Sequence, residues 1–182
     1  MKNIAVLEIS NGHAEILYSQ TLFAKTANYN VHLLCNTTHK ERVKDFDTVE
    51  NFYFINPKES QLQNFLSIRK YLRENKINTI VINTASWSVI RYLPFLLTGV
   101  KVIGVIHGIE KLQKSFSQKI LSLKIQKYFV LSKHLFTQLQ DYNKLSFSYF
   151  YPMFFPKFQL LKLEKKEEFW IIIPGQLEYK LG

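Results

Sequence analysis

The sequence predicts an α/β protein in which one parallel sheet is covered by helices on both faces. Short apolar runs rich in β-branched residues recur along the chain without polar alternation, as strands buried on two sides require. Segments with helical periodicity alternate with these runs. The run Val102, Ile103, Val105 and Ile106, with Gly104 inside it, stops abruptly at His107-Gly108, and a Lys-rich amphipathic segment follows.

Composition sets the outer bounds. With 182 residues, 47% hydrophobic and 15% aromatic, the chain can bury one substantial core and a little more. The net charge of +10 comes mostly from Lys, with only four Arg among the 24 basic residues. Lys, Asn, Ile, Phe and Tyr are abundant together, so part of this charge is compositional bias, and it favours an anionic partner only weakly. Cys35 is the single cysteine, which excludes an internal disulfide and fits a reducing compartment. Lying in the apolar run at residues 31–35, it is expected to be an inert core thiol. The N-terminal apolar run is too short for a secretory signal. The greasiest region, residues 89–106, is broken by Arg91, Pro94 and Lys101 and falls short of a membrane span. The expected location is the cytoplasm.

Taken in order, residues 4–9 read as a first buried strand, and Ser10-Asn11-Gly12-His13 as the loop after it. From residue 14 to about 27, Ile16, Leu17, Leu22, Phe23 and Ala24 fit one side of a helix. A turn at residues 28–30 leads into a second strand at 31–35. This β-loop-α-β unit builds parallel sheets with right-handed crossovers. Residues 52–55 form a third strand, closed by Asn56-Pro57. Ser60 with Gln63 reads as a capping box opening a helix to about Asn75, with Leu62, Phe65, Leu66 and Leu72 inward.

A fourth strand follows at residues 79–83, then the loop Thr84-Ala85-Ser86 and a helix from about Trp87. Beyond the fifth strand, Leu112, Phe116, Ile120 and Leu123 give the inner stripe of another helix. Residues 127–131 make the sixth strand, Ser132 is placed to N-cap a helix carrying Leu135, Phe136 and Leu139, and residues 147–151 make the seventh. Seven strands alternating with helices define a Rossmann-like layer.

In such a sheet, ligands bind beyond the carboxyl ends of the strands. His107 therefore either projects into that crevice or simply closes its strand and caps the turn. Gly12 either lets a backbone approach a ligand, with a helix N-terminus behind it, or makes a plain turn. The loops on this edge carry small polar residues, His13 and His107, but no carboxylate cluster, which argues against hydrolase or metal chemistry. Metal-ligand spacing, a G-x-S-x-G elbow, a Walker loop and a G-x-G-x-x-G loop are all missing from the sequence.

Residues 155–168 break the rhythm. Pro156 and the cluster Lys162, Glu164, Lys165, Lys166, Glu167 and Glu168 suit a solvated connector. Residues 169–173 then begin another strand, followed by Pro174-Gly175-Gln176-Leu177-Glu178-Tyr179-Lys180. An apolar strand standing alone would leave an unpaired edge, so a second domain is expected to open here. The expected organisation is a domain at 1–152, a linker at 153–168, and the first strand and loop of a second domain at 169–182.

The ordered set of features resembles the N-terminal domain of GT-B-fold glycosyltransferases, especially the retaining family 4. Asn11-Gly12-His13-Ala14-Glu15 is similar to that family's Gly-Gly-x-Glu loop, with His13 where a glycine or small residue is usual. Val105-Ile106-His107-Gly108 resembles its strand-ending histidine motif, with Gly108 in place of the common Asp. Val130-Leu131-Ser132 resembles its strand-Ser-helix step. Residues 173–180 are similar to the first strand and basic loop of its donor domain, with Gln176 where Arg is usual and Lys180 slightly closer to the glycine.

The resemblance implies transfer of a sugar from a nucleotide-diphosphate sugar to a glycan or lipid-linked acceptor, with retention at the anomeric carbon. It implies no metal and no separate cofactor. His107 would contact the donor sugar. Gly12, His13 and Ser132 would lie on the substrate side, while Gly175 and Lys180 would face the diphosphate. The paired glutamates of the family's donor domain would lie past Gly182, so the 182-residue chain by itself is expected not to turn over a nucleotide-sugar.

Two other classes remain open: a non-catalytic α/β binding module left by truncation, and a basic nucleic-acid-binding domain. Against the second stand the scarcity of Arg and the lack of a recognised motif. Between Lys101 and Lys144, eight Lys face only Glu110 and Asp141. This segment reads either as a solvated face or as a peripheral contact with an anionic membrane surface or a phosphate-bearing lipid acceptor.

Overall fold

A computed structural model describes residues 1–85, 97–107, 125–139 and 147–149. Among these, seven strands form one parallel sheet: β1 Lys2–Glu8, β2 Tyr29–Asn36, β3 Asn51–Ile55, β4 Thr79–Ile82, β5 Lys101–Ile106, β6 Ile125–Val130 and β7 Phe147–Tyr149. Their order across the sheet is β3-β2-β1-β4-β5-β6-β7. All six neighbouring pairs are parallel. The α/β reading and the strand count agree with the sequence; strand ends differ by a few residues.

The helices among the described residues are α1 Ala14–Thr26, α2 Lys40–Val43, α3 Gln61–Glu74 and α4 Lys133–Leu139. Because successive strand residues point to opposite faces, β1 splits its side chains between two cores. Ile4 and Val6 pack with Leu17 and Ala24 of α1 and with Val31, Leu33 and Cys35 of β2. Ala5 and Leu7 pack with Phe65, Ile68 and Leu72 of α3 and with Ile80 and Ile82 of β4. Helices thus cover both faces.

The α3 capping box is present: the Gln63 N–H donates to Ser60 Oγ, and the Gln63 side chain accepts from the Ser60 backbone. Its inner stripe is Phe65, Ile68 and Leu72, spaced i, i+3 and i+7. Leu62 and Leu66, expected inward, are 60% and 49% exposed. Leu66 lies about 100° round the helix from Phe65, and Leu62 sits in the first turn, ahead of the first buried residues. Phe23 of α1 is likewise exposed rather than inward. On α1 the polar residues Ser19, Gln20 and Thr21 are buried, and Thr21 shares a 2.6 Å hydrogen bond with Thr48.

Between β2 and β3, for which the sequence offered no element, the chain makes a 3-10 turn at Thr37–His39 and then α2. The Asn36 side chain caps this turn by accepting from the Thr38 N–H, and His39 and Val43 are carried inside. The helices expected from about Trp87 and around residues 112–123, the connector, and the strand at 169–173 lie outside the described residues.

Gly104 draws the middle of the sheet together. A Cβ there would meet Ala85 Cβ at 3.1 Å and the Tyr128 ring at 3.2 Å. This close approach lets the Ala85 N–H reach the Val105 carbonyl at 2.9 Å, pinning the loop after β4 to β5. Gly104→Val should therefore overpack the site and destabilise the protein by about 1–3 kcal/mol, read as a lowered thermal midpoint. An unchanged midpoint would mean that the loop after β4 and the Tyr128 ring on β6 yield without cost.

Candidate functional site at the carboxyl ends of the central strands

The sheet order reverses at β1: the chain builds outward through β2 and β3, then returns to place β4 on the other side of β1. Such a switch point leaves a crevice beyond the carboxyl ends of the two strands. Here the loops after β1 and β4 and the end of β5 meet.

Glu8, the last residue of β1, is fully buried and accepts three hydrogen bonds. The Ser10 N–H donates to Oε1 at 2.7 Å. Asn83 Nδ2 and Thr84 Oγ1 donate to Oε2 at 2.6 and 2.7 Å. One carboxylate therefore joins the two loops that flank the crevice.

Asn83 carries the network onward. Its Nδ2 also donates to the His13 carbonyl at 3.1 Å, its Oδ1 accepts from Gln20 Nε2 at 2.5 Å, and its backbone N–H donates to the Leu7 carbonyl at 2.8 Å. Because its neighbours are a carboxylate and a carbonyl on one side and an amide donor on the other, the Asn83 amide has one consistent orientation. The Asn83 carbonyl accepts from His107 Nε2 at 2.6 Å. A carbonyl can only accept, so Nε2 of His107 carries the proton, and Nδ1 is the acceptor of the neutral ring.

His107 and His13 meet ring to ring, with centroids 4.0 Å apart and planes inclined by 36°. His13 adopts left-handed backbone geometry, φ 62°, at the N-cap of α1, a conformation uncommon outside glycine that costs about 1 kcal/mol. Gly12 was the residue whose sequence suggested such freedom. Yet its φ is not positive, a Cβ there would meet nothing within 4 Å, and its N–H donates to Ser10 Oγ at 3.3 Å. The turn into α1 is made at His13 instead. His39 secures the same loop from below, its Nε2 donating to the Ser10 carbonyl at 2.7 Å. Asn36 Nδ2 reaches Asn11 Oδ1 at 2.9 Å.

Of the residues singled out from sequence, Gly12, His13 and His107 come together in this crevice region. Ser132 follows β6, and its hydroxyl accepts the Leu135 N–H at 3.1 Å as the cap of α4. Gly175 and Lys180 lie outside the described residues. Sequence reading missed Glu8, Asn83, Gln20 and His39. Glu8 did leave a signal: a carboxylate inside an otherwise apolar strand must be either paired or functional. Among the described residues no three of His, Cys, Asp and Glu gather as metal ligands would, and no helix is long and apolar enough to cross a membrane.

No protein-family model matches the sequence, and no curated protein matches it. Solved structures do. A glycosyltransferase from Rickettsia africae superposes with a TM-score of 0.60 at 13% identity, over 83% of this chain and 43% of that one. MurG from Acinetobacter baumannii gives 0.53 at 12%, over 71% and 41%. A protein described as a UDP-N-acetylglucosamine 2-epimerase from Listeria monocytogenes gives 0.54 at 10%, over 78% and 42%. The chain thus spans about two fifths of the length of each. The class defined here is a Rossmann-like α/β layer with a switch-point crevice, and that fold is shared with solved glycosyltransferases.

Cys35 pairs with Glu8 across β1 and β2, and its thiol is pushed up to about 12, first by burial and then by the negative charge of Glu8. The folded state thus keeps a proton that the unfolded chain releases above its ordinary value of 9.0. The stability this contributes is complete below that value and is lost as pH rises from there towards 12. At about pH 8 the folded protein should resist iodoacetamide while the denatured chain labels fully. Equal labelling rates in the two states would show that Cys35 is accessible.

Proposed function

We propose that the chain is the acceptor-side half of a GT-B-fold glycosyltransferase of the retaining, family 4-like kind. It takes part in transferring a sugar from a nucleotide-diphosphate sugar to a glycan or lipid-linked acceptor in cell-surface polysaccharide synthesis. The observation that carries this reading is the single hydrogen-bonded network uniting the loops of β1 and β4 with His107 at the switch point. The motif resemblance supplies the family and the stereochemistry, and the solved neighbours supply the fold.

In this reaction the bond from the anomeric carbon to the diphosphate oxygen breaks as the acceptor hydroxyl oxygen forms its bond on the same face. The acceptor proton passes to the departing phosphate oxygen, so the chain need supply no dedicated base. His107, in its Nε2-protonated form, contacts the donor sugar. Gly12 and His13 shape the floor on which acceptor and donor phosphate meet. Ser132 enters through the helix cap it makes, and Gly175 and Lys180 belong to the part of the protein that faces the diphosphate. A second domain after the linker at 153–168 completes the site. The lysines between Lys101 and Lys144 hold the protein at the cytoplasmic face of an anionic membrane, each contributing about 1 kcal/mol near the surface.

The test uses the protein from its full reading frame with a panel of nucleotide-diphosphate sugars, following release of the nucleoside diphosphate and the fate of the sugar. His107→Ala should lower kcat/KM by about tenfold to a hundredfold, the equivalent of losing a contact of roughly 1.5–3 kcal/mol. His107→Asn should lose less. A normal rate in well-folded His107→Ala would remove His107 from the site. Donor binding without turnover would support the binding-module alternative. A sugar epimerised rather than transferred would favour the chemistry named for the Listeria protein. For the membrane face, co-sedimentation with anionic and neutral vesicles at rising salt should show selective, salt-sensitive binding to the anionic ones. Equal binding to both would end that part of the proposal.

A further inference from the structure

Towards the amino ends of β1 and β2, under α3 and away from the crevice, lies a buried polar chain that plays no part in the site above. His32 of β2 is 2% exposed. Its Nδ1 is 3.0 Å from the Tyr71 hydroxyl of α3, and its Nε2 is 3.4 Å from Asn30 Nδ2. Asn30 Nδ2 also donates to Asn3 Oδ1 at 3.0 Å, and Asn3 Nδ2 donates to the Asn75 carbonyl at 2.6 Å. Asn75, the C-cap of α3, returns to Tyr71 by donating from its Nδ2 to the Tyr71 carbonyl at 2.9 Å. Two strands and the last turn of α3 are thus joined by one closed circuit of hydrogen bonds.

The circuit has a single consistent direction. A carbonyl only accepts, so the Asn75 carbonyl fixes the Asn3 amide with its nitrogen on that side and its oxygen towards Asn30. That oxygen needs a donor, which fixes the Asn30 nitrogen beside it and beside His32 Nε2. Facing an amide N–H, Nε2 accepts. The proton of the neutral ring therefore sits on Nδ1 and is donated to the Tyr71 hydroxyl. Protonating Nε2 would set an N–H against the Asn30 nitrogen in a place almost closed to water, and a buried donor without an acceptor is costly.

We infer that His32 is an acid-sensitive latch: neutral, it ties the C-terminal end of α3 to β1 and β2, and charged, it breaks the circuit and releases that end. Among the described residues, the groups packed around it are Asn3 on β1, Tyr71 on α3, Tyr53 on β3 and Glu50 just ahead of β3. The Tyr53 ring lies 4.6 Å from that of Tyr71, and burial raises Tyr71 above the ordinary phenol value, so it stays neutral. Glu50 accepts the Val31 N–H at 2.7 Å and pairs with Lys25 at 3.0 Å. Burial holds the His32 pKa below its ordinary 6.5, and the Glu50 carboxylate draws it part of the way back. The folded protein thus resists a proton that the unfolded chain takes up. The stability this contributes is complete above 6.5 and is lost as pH falls from there through the folded value.

The test uses the 182-residue chain with its five histidines labelled with nitrogen-15, the His32 ring being assigned from the signal lost in His32→Gln. At about pH 8, where imidazole is neutral, long-range proton–nitrogen correlation should place the proton on Nδ1. A proton on Nε2 would overturn the latch. Between about pH 8 and about pH 5, the urea midpoint should fall less in His32→Gln than in wild type. Asn30→Asp puts an acceptor in front of Nε2 and gives the charged ring a partner. It should likewise reduce the fall, with His32 titrating at a higher pH than in wild type. An Asn30→Asp protein as acid-sensitive as wild type would show that Nε2 does not face residue 30, and the latch would be wrong. Hydrogen exchange separates a latch from general acid unfolding. On acidification the amides of Asn75, Lys76 and Ile77, bonded to the carbonyls of Tyr71, Arg73 and Leu72, should lose protection before those of β1. Loss of protection at one pH throughout the chain would also overturn it. If His32→Gln does not fold, sequential backbone assignment identifies the ring and Asn30→Asp carries the stability comparison. No nucleotide-sugar enters these measurements, so the latch and the transfer reading stand or fall separately.

Discussion

A carboxylate taken wholly out of water costs several kcal/mol unless donors replace the lost solvent, and Glu8 is fully buried at the end of a central strand. The three donors that replace water come from the loop after β1 and the loop after β4. Satisfying one buried charge therefore fixes the mutual placement of two loops more than seventy residues apart in sequence. The crevice is as rigid as that requirement makes it. Removing the charge would relieve the demand but leave Ser10, Asn83 and Thr84 donors facing each other, which is also costly.

The same demand explains why α1 looks only weakly amphipathic. A helix over a sheet ordinarily shows an apolar stripe, yet near the crevice α1 buries Ser19, Gln20 and Thr21. Gln20 completes Asn83, and Thr21 bonds Thr48 beside α2. The buried apolar residues of α1 include Ile16, Leu17 and Ala24, while Phe23 is largely exposed. On α3 the inner stripe of Phe65, Ile68 and Leu72 is apolar, while its polar residues bond at the margins: Asn64 Nδ2 donates to the Asn56 carbonyl at 3.0 Å, and the Tyr71 hydroxyl lies 3.0 Å from His32 Nδ1.

Solved structures that share this fold include glycosyltransferases and a protein described as an epimerase, at identities of 10–13%. A fold hosts many chemistries, so function has to be argued from the site. The sequence left Gly12 either letting a backbone approach a ligand or making a plain turn; in the structure the left-handed turn belongs to His13, whose ring lies against His107. The two histidines read separately from two loops form a single feature.

The alternation of apolar runs with helical segments was enough to give the parallel α/β layer, because a strand without polar alternation must be covered on both faces. The capping box at Ser60 was equally legible, being a local arrangement of four consecutive residues. So was the burial of Cys35, placed in the middle of such a run. Which faces of α1 and α3 turn inward was not legible, since Leu62, Leu66 and Phe23 satisfy the apolar pattern as well as the residues that are buried. Nor was the role of Glu8, which in sequence is only a charge inside an apolar strand. Its partners Asn83 and Thr84 become neighbours only because β4 returns to lie beside β1. Hydrophobic periodicity and capping act over one or two turns and are written in the local sequence. The pairing of a buried charge depends on which strands the sheet order sets side by side, and only the tertiary structure decides that.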